Sequence, residues 1–222
     1  MVNKTKTEKR KGGKTDTELY VQIGIIAILL LVIVFSMGKI SSGTAGGSVT
    51  GIGSVSASEI IPTGIPAVYG EEMGVSYDDV SPSNPKLADS TIRKLSQYED
   101  EELNSEQMER YIRIAGSISC EYCCGANSII FSNGDRACGC AHSYAMRGVA
   151  KYILINHPDM TDIEILSELG KWKVLFFPEI HEGKAKVLEE NGIDSTDYIN
   201  LASNLYRGIE QGQAGGGMVG GC

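Results

Sequence analysis

Residues 120–142 of the chain read CEYCCGANSIIFSNGDRACGCAH, and they contain five of its six cysteines and one of its three histidines. Cys120 and Cys123 form a C-x-x-C pair, and Cys138 and Cys140 form a C-x-C pair. Each spacing lets two sulfur atoms converge on one point. We therefore expect this segment to decide how the surrounding helices are arranged.

The segment itself is predicted to be a loop between two helices. Gly125, the run Asn133-Gly134-Asp135 and Gly139 are typical of turns. On either side, apolar residues recur at helical spacing, and no segment alternates with the period of a β-strand. The sequence thus predicts a small all-α bundle. Its predicted helices are 86–98, 104–118, 141–156, a helix capped by Thr161 that ends before Pro178, 179–191, and a last helix capped by Ser195.

A soft metal ion is the first chemistry that this pattern favours. Cys120, Cys123, Cys138 and Cys140 supply the four thiolates of a tetrahedral site, with His142 or Cys124 as alternative ligands. Thiolates beside an imidazole suit zinc or copper(I). An iron–sulfur cluster is a further, less favoured option for such ligands.

Two other interpretations stay open, so whether the chain is an enzyme is not decided. Cys120 and Cys123 can be the active pair of a thiol–disulfide oxidoreductase, with Cys222 as a resolving thiol. Alternatively, the cysteines can form disulfides that hold a small interaction domain together. The short-range pairs count against that alternative, because they close short loops and add little stability.

The N-terminal part predicts a membrane anchor. Residues 1–18 form a basic tail, and residues 19–38 form an apolar run that would span about 28 Å as a helix, close to the thickness of a bilayer core. Six Lys/Arg precede the run, and none occurs between Lys39 and Lys86. The positive-inside rule therefore predicts a cytoplasmic N-terminus and an extracytoplasmic C-terminal domain.

The rest of the chain divides by composition. We expect a flexible Gly/Ser linker over 39–85, the helical Cys-rich domain over 86–211 and a disordered Gly-rich tail over 212–222. The net charge is −8, and residues 1–18 contribute +3, so the remainder carries −11. This negative net charge argues against nucleic acid as a partner, because phosphate contacts need clusters of Lys and Arg. The expected partner is a protein, or a donor or acceptor of the metal, outside the cytoplasm.

The sequence also predicts whether several single residues lie in the core or at the surface. Trp172, Phe176 and Phe177 are expected in the core. His157 and His181 are expected at the surface, and the acidic residues 99–102 are expected on a solvated helix face.

Residues 120–178 resemble the periplasmic domain of the CcmH family of cytochrome c maturation proteins. The matching segments are Cys120-Glu-Tyr-Cys123, Ala145-Met-Arg147-Gly-Val-Ala-Lys151, Met160-Thr-Asp-Ile-Glu164-Ile-Leu, Leu169-Gly170-Lys-Trp172 and Phe177-Pro178. The resemblance implies a three-helix bundle in which Cys120 and Cys123 exchange disulfides with apocytochrome thiols. The family lacks Cys124 and the insertion Cys138-Gly-Cys140-Ala-His142, and these additional ligands favour metal capture or delivery.

Overall fold

The computed structural model describes residues 56–211 and 217–220. Within these ranges the chain is helical, contains no β-strand and has one isolated antiparallel bridge, between Ile130 and Arg136. The α-helices are α1 (Ala57–Ile60), α2 (Gly70–Met73), α3 (Pro85–Ser96), α4 (Ser105–Ala115), α5 (Glu121–Cys124), α6 (Ala141–Asn156), α7 (Asp162–Phe176), α8 (Pro178–Glu190) and α9 (Tyr198–Ala202). The short 3₁₀ turns are Tyr77–Asp79 and Asn204–Tyr206.

The long helices form where the sequence predicts them, and four of the five, α3, α4, α6 and α7, have a side chain that caps the first turn, whereas α8 begins at Pro178 without such a cap. At the start of α7, the Glu164 N–H donates to Thr161 Oγ1 over 3.3 Å, and the Thr161 N–H donates to the Glu164 carboxylate over 2.7 Å. This reciprocal pair is a capping box. Helix α9 is shorter than the predicted last helix, and Asp197 rather than Ser195 caps it.

Helix α6 lies at the centre of the bundle and packs against α3, α4 and α7. Its side chains are buried on nearly all sides between His142 and Leu154. The closest approach is at Gly148, where an added Cβ would collide with the carbonyl oxygen of Leu95 in α3. The absence of a side chain at Gly148 therefore sets the distance between the two helices.

A Gly148→Ala substitution is expected to lower the free energy of unfolding by roughly 1–3 kcal/mol, because α3 must move away from α6 to relieve the overlap. Urea denaturation of the whole chain measures the change. Gly217→Ala is the matched control, since a Cβ there meets no atom within 4 Å. Equal stability of the two variants would contradict this close packing.

Residues 56–85 belong to the folded body, which corrects the prediction of a flexible linker over 39–85 for this part. Tyr69 and Tyr77 are buried beside Trp172 of α7. The Trp172 indole N–H donates to Tyr69 Oη over 2.7 Å, and both tyrosine hydroxyls donate to the Glu168 carboxylate. The core position of Trp172 is confirmed. Its hydrogen-bond acceptor, Tyr69, and its neighbouring ring, Tyr77, both come from the predicted linker. Six apolar residues of this part are buried without forming one long periodic run: Ile60, Tyr69, Met73, Val75, Tyr77 and Val80.

The predicted disordered tail also needs correction at residues 217–220. Val219 is buried, and its N–H donates to the Phe176 carbonyl over 2.8 Å. Residues 212–216 and Cys222 lie outside the described residues, and so does the predicted membrane helix at 19–38. None of the helices in the described ranges is both long enough and apolar enough to span a membrane.

His181 is buried, so the prediction of a surface position is wrong. Its Nδ1 lies 2.8 Å from the Phe177 carbonyl, its ring packs edge-on against Tyr122, and its Nε2 has no hydrogen-bond partner. Burial, followed by the nearby charge of Lys173, lowers the pKa of His181 to about 3. His181 is therefore neutral in the folded protein at physiological pH.

This burial predicts loss of stability in acid. Between the ordinary histidine pKa of about 6.5 and the folded value, the unfolded chain binds a proton at His181 and the folded chain does not. Stability therefore falls as the pH falls, by up to about 1.4 kcal/mol per pH unit from this group. His181→Phe keeps the aromatic contact and is expected to flatten the pH dependence of urea unfolding between pH 6 and pH 4. An unchanged slope would contradict the assignment.

Candidate metal centre

Two helix N-termini bring the cysteines together. Cys120 is the residue before α5, and Cys140 is the residue before α6. The Ser143 N–H donates to Cys140 Sγ over 3.4 Å, so a sulfur acts as the helix cap. A helix N-terminus favours a negatively charged group, and the thiolate form of Cys140 is stabilised there.

The C-x-x-C and C-x-C pairs approach each other through Cys140, whereas Cys138 lies outside the group of ligand atoms that includes Cys120 and Cys123. Cys140 Sγ lies 3.3 Å from Cys120 Sγ and 3.5 Å from Cys138 Sγ. One set of possible ligand atoms belongs to Cys120, Cys123, Cys140 and His142, and all of them lie within 4.8 Å of one another. Two sulfurs bound to one tetrahedral zinc would be roughly 3.8 Å apart. The cluster is thus compact enough to hold a metal ion.

His142 presents a free nitrogen in this cluster. Its ring is buried and packs against Phe176 and Phe177, with centroid distances of 4.7 and 5.0 Å. Nε2 lies 2.7 Å from the Val219 carbonyl oxygen, to which it can only donate. Nδ1 has no hydrogen-bond partner, and in the tautomer that carries its proton on Nε2 it offers a free lone pair. Metal-binding histidines are commonly oriented by such a bond to a backbone carbonyl.

The oxidation state of the cysteines differs across the cluster. Cys124 and Cys138 form a disulfide, whereas Cys120 and Cys140 are free and buried. Cys123 is also disulfide-bonded. The structure thus places Cys138 with Cys124, and it brings Cys120, Cys123, Cys140 and His142 together. In this state the atoms available to a metal are the sulfurs of Cys120 and Cys140 and Nδ1 of His142.

The two free thiols influence each other's ionisation. Hydrogen bonding with Cys120 lowers the pKa of Cys140 to about 4 against the effect of burial, and the interactions with His142 and Ser143 act in the same direction as Cys120. The hydrogen bond with Cys140, together with burial, raises the pKa of Cys120. Ionisation of the pair is therefore favoured at Cys140 and disfavoured at Cys120.

A buried arginine holds the loop that carries Cys138. Arg147 of α6 donates to the carbonyl oxygens of Ile129 and Cys138 over 2.9 and 2.8 Å. Its Nε donates to the carboxylate of Glu99, which also accepts from Arg136 over 2.7 Å. Glu99 is 4% exposed, so the prediction that it lies on a solvated face is wrong.

A second buried ion pair positions the C-x-x-C helix. Lys173 of α7 is fully buried and donates to Glu121 Oε2 over 2.9 Å and to the Ala202 carbonyl over 2.8 Å. Glu121 follows Cys120 directly, so this contact fixes the start of α5. Sequence reasoning missed both Arg147 and Lys173. For Arg147 the available signal was a single charge among the apolar residues 145–150, whereas Lys173 gave no such signal because Lys171 lies two residues before it.

No known protein family, curated protein or solved structure matches this chain. The comparisons therefore neither support nor oppose the resemblance to the CcmH family. The chemistry of the centre is inferred from its own residues.

Proposed function

We propose that this protein binds a soft metal ion, zinc or copper(I), through Cys120, Cys140 and Nδ1 of His142. Cys123 becomes the fourth ligand once its disulfide is reduced, because its sulfur lies within the same group of atoms. Three thiolates and one imidazole form a ligand set that is common in structural zinc sites.

The unpartnered Nδ1 of His142 is the observation that carries this proposal. A buried polar atom without a partner costs about 1–3 kcal/mol, and such atoms are uncommon in folded proteins. Here the atom lies beside the free cysteines Cys120 and Cys140, and the pKa of Cys140 is lowered. A metal ion bound between them would satisfy the nitrogen and both sulfurs at once.

The proposed setting is outside the cytoplasm, on a single membrane anchor. The apolar run at 19–38 and the charge distribution around it support the anchor and its orientation. The Cys124–Cys138 disulfide supports an oxidising compartment, where such bonds persist. In that setting the partner is a protein that donates or accepts the metal.

Titration of the whole chain with zinc in competition with a chromophoric chelator tests the proposal. The reduced protein is expected to bind zinc tightly, and Cys120→Ser and His142→Gln should each weaken the binding by at least about a hundredfold, since each removes one of the few ligands. His157→Gln is the matched histidine control, because His157 is partly buried and its Nε2 lies 3.0 Å from the Glu72 carboxylate rather than in the cysteine cluster. Identical affinities of wild type, Cys120→Ser and His142→Gln would refute the proposal.

Thiol–disulfide exchange is the second candidate function, and one observation favours it. Cys124 is exposed, and its disulfide partner Cys138 lies 3.5 Å from Cys140. A partner thiolate can attack Cys124 Sγ, which forms a mixed disulfide and releases Cys138 as a thiolate. A metal-free protein that reduces a model disulfide, and loses this activity in Cys124→Ser, would favour exchange over metal binding.

A further inference from the structure

Cys140 belongs to two groups of possible ligands. Its sulfur lies with those of Cys120 and Cys123 and a nitrogen of His142 in the first group, and with those of Cys124 and Cys138 in the second. In each group all the atoms lie within 4.8 Å of one another. Cys140 is therefore placed between two potential metal positions.

We propose that Cys124, Cys138 and Cys140 form a second metal site that is blocked while Cys124 and Cys138 are joined in a disulfide. Reduction of this disulfide then lets Cys140 bridge two soft metal ions. The first ion is the one assigned above, so this inference rests on the proposed function. The second ion is held by Cys124, Cys138 and Cys140, and it keeps an open position for an exogenous ligand.

The disulfide is placed where a reductant can reach it. Cys124 is exposed, whereas Cys138 is 4% exposed. A dithiol reductant attacks Cys124 Sγ and Cys138 leaves as a thiolate. The second thiol of the reductant then displaces Cys124, so the reductant becomes a cyclic disulfide and the protein gains two thiols. These thiols lose their protons when the metal binds.

The backbone around the second site is already fixed in the oxidised state. Arg147 holds the Cys138 carbonyl, and the Ser143 N–H holds Cys140 Sγ. Reduction therefore has to change little besides the separation of two sulfur atoms. Two divalent ions also offset most of the charge of the five thiolates, which lowers the cost of keeping them together in a largely buried cluster.

The test is the zinc content of the whole chain in two states. One sample is kept oxidised, and the other is reduced with a dithiol that is removed under anaerobic conditions before zinc is added. The reduced wild type is expected to bind about two zinc ions per chain, and the reduced Cys124→Ser/Cys138→Ser variant about one. The oxidised wild type is expected to bind no more than one.

X-ray absorption of the reduced, loaded wild type provides a second readout. Two zinc ions that share one sulfur must lie within about 4.6 Å of each other, because each zinc–sulfur bond is about 2.3 Å long. One zinc per chain in both reduced proteins, or two without this zinc–zinc distance, would overturn the inference and leave the first site intact. No zinc in either state would overturn the proposed function as well.

Discussion

A Cys140→Ser variant of the whole chain is expected to retain almost no zinc, even after full reduction. Cys140 is the only residue common to both ligand groups, so its loss removes a ligand from each position. It is also the member of the free pair whose pKa is lowered, and its sulfur caps α6. We expect a loss of at least about a thousandfold in zinc affinity, measured by competition with a chelator.

Cys120→Ser and Ser143→Ala are the matched comparisons. Cys120 belongs to one group only, so its replacement should leave the second position able to bind. Ser143→Ala removes a hydroxyl 3.3 Å from the Cys140 sulfur and keeps the sulfur itself, so it should weaken binding modestly. If Cys140→Ser binds as much zinc as Cys120→Ser does, Cys140 is not a shared ligand.

Replacement of Arg147 by methionine is expected to lower the free energy of unfolding by about 3–5 kcal/mol, since it leaves the buried Glu99 carboxylate with one partner fewer. The carbonyl oxygens of Ile129 and Cys138 also lose their donor. Because these carbonyls belong to the loop that joins α5 to α6, zinc affinity should fall together with stability. Urea denaturation and the chelator competition measure the two effects.

The control lies one turn further along the same helix. Lys151→Met removes a partly exposed hydrogen bond to the Glu101 carbonyl and should change stability by less than about 1 kcal/mol. The double variant Arg147→Met/Glu99→Leu removes both charges of the buried pair and is expected to recover part of the loss. If Arg147→Met is as stable as Lys151→Met, the arginine does not support the loop.

The sequence predicts the main helices well because their signals are local. The period of apolar residues and the Thr161 capping box depend on neighbours within one or two turns, and α6 spans the predicted 141–156. The place of α6 at the centre of the bundle could also be read from its composition. Arg147 and Lys151 are its only Lys or Arg residues, and such a helix is normally surrounded by others.

The parts that could not be predicted depend on contacts between distant residues. The Glu99–Arg147 pair joins residues 48 positions apart, and nothing near Glu99 distinguishes it from its solvated acidic neighbours. Val219 and His142 lie 77 positions apart in the sequence, and Val219 makes this contact through its backbone carbonyl rather than through its side chain. A Gly-rich segment carries no side-chain pattern that could reveal such a contact.

The cysteine spacing predicts the cluster and leaves its pairing undetermined. C-x-x-C and C-x-C show that the sulfurs can converge, and the structure brings Cys120 and Cys140 to 3.3 Å. Which sulfurs pair in a disulfide depends on how the intervening loop closes. That closure is set by Arg147 and by the turn around Gly134, so it follows only from the folded bundle.

X-ray absorption spectroscopy of the zinc-loaded Cys124→Ser/Cys138→Ser variant tests the central claim most directly, because this variant retains the first of the two ligand groups found among the described residues and loses the second. A first coordination shell of three sulfurs at about 2.3 Å and one nitrogen at about 2.0–2.1 Å is the expected result. His142→Gln in the same background should lose the nitrogen contribution. A shell of oxygen atoms only, or a nitrogen that persists without His142, would contradict the assignment of Cys120, Cys123, Cys140 and His142 as the metal ligands.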